Sequence, residues 1–542
     1  MEFDIDILYK GQQRYAQHYT QHLQIASQLY GTRQTQHSLT KLVKNWQQIA
    51  QAQRWTAAHM NTSEDVAQMC ITYADVRTEL LEAHQTIDEQ RQWYEDALKA
   101  ARSLESKADE ARCLHLIGVL LGRTKKVQEA LLYHEQALEI LFDCGELLLI
   151  PRIYNHIGVA HWVLGDREQA RKYHQQSLEL CKEFANSVEA ANALMGLGYV
   201  AYTEDQYAKA QDYYQQALKL FDSEQNFAQA ATILRAMGDA AFAAGDYEAA
   251  RQSYQRSLSL CKTWSFERGV AVSLTKLAYA HRELGDLTAA TTYGEQSIHL
   301  LRKYSDFRVL AMLLNVLGSI ATIIGNYEQA QGYYAEGRDI CNEMGDKMGL
   351  AMLTIRLGEL ALKLHDQIMA QRYFEESLQI FQTINDAWGI ATSMASLGDL
   401  HQKTGHADKA ETHFIQALDI FEEIKNRKGI ANTHVSMGKL CLQQTNYALA
   451  CEHFKCAFQE AMDIRTPEPA LESLFGYAHI LLQVGDQQRA AELLGLVSHH
   501  DATSQELKDR IESFIHQIPL SDENLQAAIE RGKIQKLEQI TL

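Results

Sequence analysis

Small, ring-bearing and polar positions return along the chain every 40 residues, from about residue 108 to 497. One column is alanine at all ten steps: Ala130, Ala170, Ala210, Ala250, Ala290, Ala330, Ala370, Ala410, Ala450 and Ala490. A second is always small, with Gly118, Gly158, Gly198, Gly238, Ala278, Gly318, Gly358, Gly398, Gly438 and Ala478. A third is small again, running from Ala137 and Ser177 through Ala217, Ser257, Ser297, Gly337 and Ser377 to Ala417 and Ala457. Between the last two stands a ring column of His134, His174, Tyr214, Tyr254, Tyr334, Phe374, Phe414 and Phe454, with Gly294 and Leu494 as exceptions.

These columns predict stacked pairs of antiparallel helices. Two helices approach closely only where their facing side chains are small, and the remaining space must be filled by something bulky from a neighbouring turn. The columns at 118 and 130 therefore mark the contact between helix A and helix B of each pair, and the ring column supplies the filler. The turn between them reads VLGDREQA at 163–170, AAGDYEAA at 243–250 and IIGNYEQA at 323–330. Its glycine, at 165, 245, 285, 325, 405 and 485, suits a left-handed helix end. Fourteen of the 30 glycines fall in these two columns, so glycine here is architectural rather than a mark of phosphate loops. Gly269, Gly349, Gly389 and Gly429, in the junctions between pairs, read as helix-end glycines of the same kind.

The small-x-x-Tyr spacing, the GDYxxA turns and the AxxxYxxAL second helix resemble tetratricopeptide repeats. Members of that family usually repeat every 34 residues; at 40 the helices gain roughly one and a half turns in total. The long form resembles the repeats of protein-binding cell-polarity adaptors and of bacterial signalling ATPases. Upstream, ITYADVRTELLEAHQT and RQWYEDALKAARSL place Tyr94 and Ala97 in the same columns, but Thr78 stands where glycine is expected, as in a worn first repeat. The expected fold is all-α, a right-handed α-solenoid of stacked helical hairpins forming a tetratricopeptide-like superhelix. Its expected organisation is an N-terminal helical cap at 1–60, a degenerate repeat at 61–105, ten repeats at 106–498 and a capping segment at 499–542.

At the ends, His18, Tyr19, Asn45, Trp46, Ala50 and Trp55 approximate the helical connector that precedes the repeat arm of bacterial NB-ARC-type signalling ATPases of the STAND class. QQRAAELLGLVSHHD at 487–501 and AAIERGKIQKLEQITL at 527–542 are similar to the closing units of that arm. The family's motor is a P-loop, GxxxxGK[ST], and no such string occurs in the chain. The resemblance therefore implies a sensor arm without its ATPase: a stand-alone protein, a split partner or a fragment.

Composition narrows the reading further. The chain has 542 residues and only 4 prolines, where average usage would give about 27; proline is the residue a helix interior tolerates least. Pro151, Pro467, Pro469 and Pro519 all fall at expected helix starts or boundaries. Hydrophobic residues at 46% and charged ones at 22% fit a folded chain rather than a disordered one. No uncharged apolar stretch of about 18 residues predicts a membrane span, and MEFDIDILYKGQQRY is not built like a secretory signal. Nine scattered cysteines fit reduced thiols in a cytoplasm, and a net charge of −18 opposes non-specific nucleic-acid binding.

Catalytic constellations are thin. His499, His500 and Asp501 form the one dense cluster, read as a solvated loop because zinc wants three or four ligands with a satisfied second shell. Cys181, Cys261 and Cys341 recur at the end of helix B and read as small apolar packing residues. His134 and His174 sit in the filler column, which favours packing over ligation. No cofactor, metal site or enzymatic residue is nominated. The concave face remains, where tetratricopeptide arrays hold peptides or helices. By resemblance, helix A faces it with the residues six and three before the small column and one and four after. Those positions give Arg152, Asn155, Asn192, Tyr199, Tyr202, Arg235, Asp239, Phe242, Arg282 and Asn315 as a candidate groove. Asn can clamp a peptide backbone, Arg can take a carboxylate and aromatic rings anchor interfaces. Later repeats turn aliphatic or mixed, with Ile355, Ala395 and Leu442. The expected function is non-catalytic protein or peptide binding. The leading form is a cytoplasmic sensor or regulatory component of bacterial signalling that acts on a separate ATPase or transcription regulator, without direct nucleic-acid or membrane contact. The alternative is a constitutive scaffold.

Overall fold

A computed structural model describes residues 2–29, 42–76, 80–81, 84–124, 126–224, 226–464, 466–500 and 502–540. The described residues form an all-α solenoid of stacked hairpins, and they divide into two compact units, 1–305 and 306–542. Unit 1 holds α1 (Glu2–Leu29), α2 (Trp46–His59), α3 (Glu64–Ala74) and α4 (Ile87–Ser103), followed by five hairpins: α5 (Lys107–Arg123) with α6 (Val127–Cys144), α7 (Ile150–Val163) with α8 (Arg167–Phe184), α9 (Ser187–Thr203) with α10 (Tyr207–Ser223), α11 (Phe227–Ala243) with α12 (Tyr247–Thr263), and α13 (Glu267–Glu283) with α14 (Leu287–Lys303). Unit 2 continues with α15 (Phe307–Ile323), α16 (Tyr327–Glu343), α17 (Lys347–Lys363), α18 (Gln367–Thr383), α19 (Ala387–Lys403), α20 (Ala407–Glu423), α21 (Arg427–Gln443), α22 (Tyr447–Asp463), α23 (Pro467–Val484) and α24 (Gln487–His499). It ends in α25 (Gln505–Ile515), α26 (Asp522–Lys533) and a 3₁₀ turn at Leu537–Gln539. Among the described residues no helix is long and apolar enough to cross a membrane.

The columns have the physical meaning their spacing suggests. A Cβ placed on Gly118 or Gly158 would fall inside 3.0 Å of the ring of His134 or His174, and one on Gly198, Gly358 or Gly398 would meet Tyr214, Phe374 or Phe414 as closely. The ring fills the space that the missing Cβ leaves, so the two columns are one packing unit. Where the third column is serine, its hydroxyl adds a stitch from helix B to helix A: Ser177 Oγ donates to the Pro151 carbonyl at 2.8 Å, Ser257 to Ala231 at 2.8 Å and Ser297 to Ala271 at 2.7 Å. Asp or Asn at the turns caps the next helix. Asp166 accepts from the Gln169 N–H at 3.1 Å and Asp246 from Ala249 at 2.9 Å, contacts worth about 1 kcal/mol each.

Gly165 and Gly245 take φ of 85° and 81°, the left-handed ends expected of them. The junction glycines behave differently. Gly269, Gly349, Gly389 and Gly429 lie in the first turn of α13, α17, α19 and α21, outside the positive-φ set. A Cβ on Gly269 or Gly349 would stand 2.6 Å from the Sγ of Cys261 or Cys341, and one on Gly429 would overlap Phe421. They are glycine because the preceding helix B presses on them, not because a helix ends there. The cysteines opposite are buried, and burial pushes the thiols of Cys261 and Cys341 up, the latter to about 11. Tyr94 and Ala97 of the upstream unit are buried like their counterparts, whereas Thr78 lies outside the described residues. Pro151 and Pro467 open α7 and α23.

Candidate ligand-binding cavity

Helix A of successive hairpins turns one side chain per turn to the same face, and in unit 1 these faces enclose a cavity of about 540 Å³. His115, Leu116 and Val119 come from α5, Arg152, Asn155, His156 and Val159 from α7, and Glu189, Asn192, Met195 and Tyr199 from α9. Ser27 of α1 with Asp75 and Val76 after α3 close one side, and Asn226 and Gln229 at the start of α11 the other.

Four of the expected groove residues, Arg152, Asn155, Asn192 and Tyr199, therefore line a single cavity. Three of them converge on a residue that the face positions do not include. Glu189, only 6% exposed, receives Arg152 Nε at 3.0 Å on one carboxylate oxygen, and Asn155 Nδ2 at 3.0 Å and Asn192 Nδ2 at 3.2 Å on the other. Asn155 Nδ2 also reaches the Glu189 carbonyl at 3.0 Å. The Arg152 guanidinium and the Asn155 amide expected to clamp a peptide are thus engaged with the following repeat, and the Asn192 amide with its own helix, although the Arg152 side chain remains 54% exposed. The sequence did carry a signal for Glu189: a carboxylate in the column that is glycine at 269, 349, 389 and 429.

Beneath this network lies a group of imidazoles. His115 and His134 face each other with Nδ1 atoms 3.2 Å apart, His156 packs edge-on to His115 with ring centroids 4.9 Å apart, and His174 Nδ1 stands 3.3 Å from Asn155 Oδ1. Burial, reinforced by the neighbouring rings, drives His115 well below the ordinary imidazole range and His134 down to about 3. Burial likewise lowers His174 to about 4, and His156 to about 4 against the pull of Glu189. All four are neutral at pH 7, so the cavity floor is polar without being charged. Among the described residues no three His, Cys, Asp or Glu side chains stand in a metal-holding arrangement.

The other groove candidates lie outside this cavity. Asp239 accepts from Tyr254 OH at 2.6 Å and pairs with Lys276 at 2.9 Å, while Arg235 Nη2 donates to Thr232 Oγ1 at 2.9 Å. Tyr202 and Phe242 pack against Tyr207 and Tyr247 of the following helices, with centroids 5.8 and 5.1 Å apart. Arg282 pairs with Glu283, and Asn315 belongs to unit 2, where its Oδ1 is buried without a hydrogen-bond partner among the described residues. His499 is not in a loop: α24 continues through it, its Nδ1 lies 3.2 Å from the Gly495 carbonyl, and His500 Nδ1 accepts from the Ala502 N–H at 3.1 Å. Asp501 lies outside the described residues.

The chain belongs to the tetratricopeptide repeat family: a model of that repeat matches residues 149–223, 229–303, 308–383, 351–423 and 389–466, and a second matches 111–141. Among solved structures the chain is similar to the apo form of the quorum sensor NprR from B. thuringiensis, with 17% identity over 64% of this chain and 96% of that one and a TM-score of 0.47. It is also similar to a Rap protein complexed with competence and sporulation factor, with 14% identity, 67% and 99% coverage and a TM-score of 0.47. Yeast Tom70 matches with 15% identity, 86% and 99% coverage and a TM-score of 0.41. These likenesses concern the fold alone. No curated protein matches the chain.

Proposed function

We propose that the chain is a non-catalytic scaffold that binds a protein or peptide effector in the unit 1 cavity. In this reading it is a sensor or regulatory component of bacterial signalling in the cytoplasm, changing the state of a separate ATPase or transcription regulator. The observation that carries the proposal is the cavity itself. Its 540 Å³ lies in the range of sites that take small ligands or short peptide segments, and it sets Val119, Val159, Met195 and Tyr199 beside the exposed Arg152 and the neutral imidazole floor. Apolar walls with a few fixed polar groups bind and orient a ligand. The end segments that resemble a STAND-class arm favour the signalling form. A constitutive scaffold is the second reading, favoured by the mutual satisfaction of Arg152, Asn155, Asn192 and Glu189, which leaves little to rearrange.

The test starts from proteins retained by the chain in lysate of the source cell, identified by mass spectrometry and purified. Calorimetry should show affinity lost in a Met195→Ala, Tyr199→Ala double variant, both positions lining the cavity, while its helical signal is retained; unchanged affinity places recognition elsewhere. An effector that alters the partner's ATPase rate or DNA affinity supports the sensor, and one without effect leaves the scaffold.

A further inference from the structure

The concave face of unit 2 already carries a helix. Glu506 Oε2, on α25, lies 2.9 Å from Lys363 Nζ at the end of α17, 143 residues earlier. One turn on, Arg510 Nη1 stands 3.0 and 3.2 Å from the two carboxylate oxygens of Glu472, which also receives Lys439 Nζ at 2.9 Å, and the Arg510 guanidinium covers the Phe475 ring at 4.6 Å. A further turn on, Phe514 packs against Phe475 and His479 with centroids 5.7 and 4.9 Å apart. Residues 506, 510 and 514 fall four apart and so share one stripe of the helix. Glu472, Phe475 and His479 are the positions six before, three before and one after the small residue Ala478, those that face a ligand in this kind of array. α25 thus sits where a bound helix would sit.

The two terminal helices are held differently. α26 makes backbone-to-backbone contact: a Cβ on Gly532 would run into the Glu492 carbonyl, and one on Gly495 into the Ile529 backbone. α25 has no glycine to allow so close an approach. It buries Leu507 and Ile511, packs Phe514 and Ile515 against the same core and adds the contacts above, of which the Lys363–Glu506 pair is exposed on both sides, at 41% and 70%. Ion pairs so solvated hold little. Beside α25 a space of about 220 Å³, lined by Lys439, Leu442, Phe475, His479 and Arg510, is left unfilled.

We propose that the concave face of unit 2 is a helix-binding groove held closed by α25, and that its partner is an amphipathic helix with an acidic residue, an Arg or Lys and an aromatic residue at successive steps of four. Lys363 takes the acid, Glu472 the cation, and the Phe475–His479 surface with its unfilled space the ring. The tethered helix competes at a high effective concentration, so the groove's apparent affinity for a free helix is reduced by the fraction of chains in which α25 is undocked. This proposal stands independently of the unit 1 cavity.

The probe is a fluorescein-labelled peptide of residues 503–516, titrated with the full chain and read by fluorescence anisotropy. The wild-type chain should bind it weakly, and a chain carrying Glu506→Lys with Arg510→Glu should bind it about ten-fold tighter or better, with faster amide exchange across 505–515. A peptide carrying the same two changes should not bind. Phe514→Ala, at a partly exposed position, provides a second undocked chain should the double variant lose its helical signal, and it should bind the probe more tightly than wild type as well. A folded undocked chain that binds the peptide no better than wild type, or amide exchange across 505–515 that does not change, overturns the proposal.

Discussion

The two units share one repeat frame and use it in different ways. In unit 1 the ring column begins with histidines and the concave face encloses a cavity whose polar groups are knotted around Glu189. In unit 2 the column becomes phenylalanine at 374, 414 and 454, and the concave face is covered by α25. The difference teaches that the repeat dictates only spacing. What lines or covers the concave face is set by the variable positions of helix A and by segments outside the repeats.

The sharpest contrast lies in acid. The unfolded chain binds protons at its histidines below about pH 6.5, but the folded unit 1 holds His134 near 3 and His156 and His174 near 4. The unfolded state then binds more protons than the folded one, so the stability that neutral burial allows is complete above pH 6.5 and falls as pH drops towards 4. Each of these histidines should cost roughly 1 kcal/mol between pH 7.5 and 5.5. Unit 2 has one comparable group, His434, lowered to about 4 by burial and the neighbouring His453, against three such groups and the deeply buried His115 in unit 1; segment-resolved amide exchange should therefore show unit 1 opening before unit 2. His134→Phe with His174→Phe, which gives unit 1 the rings of unit 2, should shrink the gap; an unchanged gap would show that the imidazoles are not its source.

Next in size is a test of the shared frame. Gly198→Val would drive a branched side chain into Tyr214, and Gly398→Val into Phe414. Both should cost about 3 kcal/mol of local stability by overpacking, measured as lost exchange protection within the affected hairpin. A cost confined to one unit would break the equivalence of the two. Glu189→Ala should cost about 2 kcal/mol, because it leaves the Asn192 amide and a partly exposed guanidinium without their acceptor and Asn155 with the backbone carbonyl alone. Urea melts should show Glu189→Gln closer to wild type. Smallest is Lys363→Ala, whose solvated pair with Glu506 should contribute under about 0.5 kcal/mol; a larger shift in the melt would mean that α25 is fixed more firmly than its contacts suggest.

What could be read from the sequence follows the range of each interaction. The hairpins were readable because a helix contact demands a small residue at a fixed place, and ten alanines at a spacing of 40 have no other ready explanation. The ring column was equally plain, since its partner glycine lies only 16 residues away, as in Gly118 with His134. The knot at Glu189 was not, because Arg152 lies 37 residues from it and both lie in variable columns. His156 was missed for the same reason: it lies beside the face positions rather than on them. The junction glycines were misread because left-handed turns and close approach both select glycine, and only the preceding Cys261 or Phe421 tells them apart. The pattern of α25 announces that Leu507 and Ile511 are buried, but no local rule says against what.

Nearly every contact in the array joins neighbouring helices, which lets each hairpin form as soon as its own residues exist. The bridge from Lys363 to Glu506 reaches much further, spanning 143 residues. At roughly 5–20 residues per second of synthesis, α17 emerges on the order of ten seconds before α25. Glu472, Phe475 and His479 emerge only some 35 to 39 residues before their α25 partners, so the complete inner face of unit 2 is uncovered for about the last few seconds of that interval. A helical partner made nearby could engage the nascent chain without competing with its tail, so the order of synthesis itself would select which helix the finished protein carries.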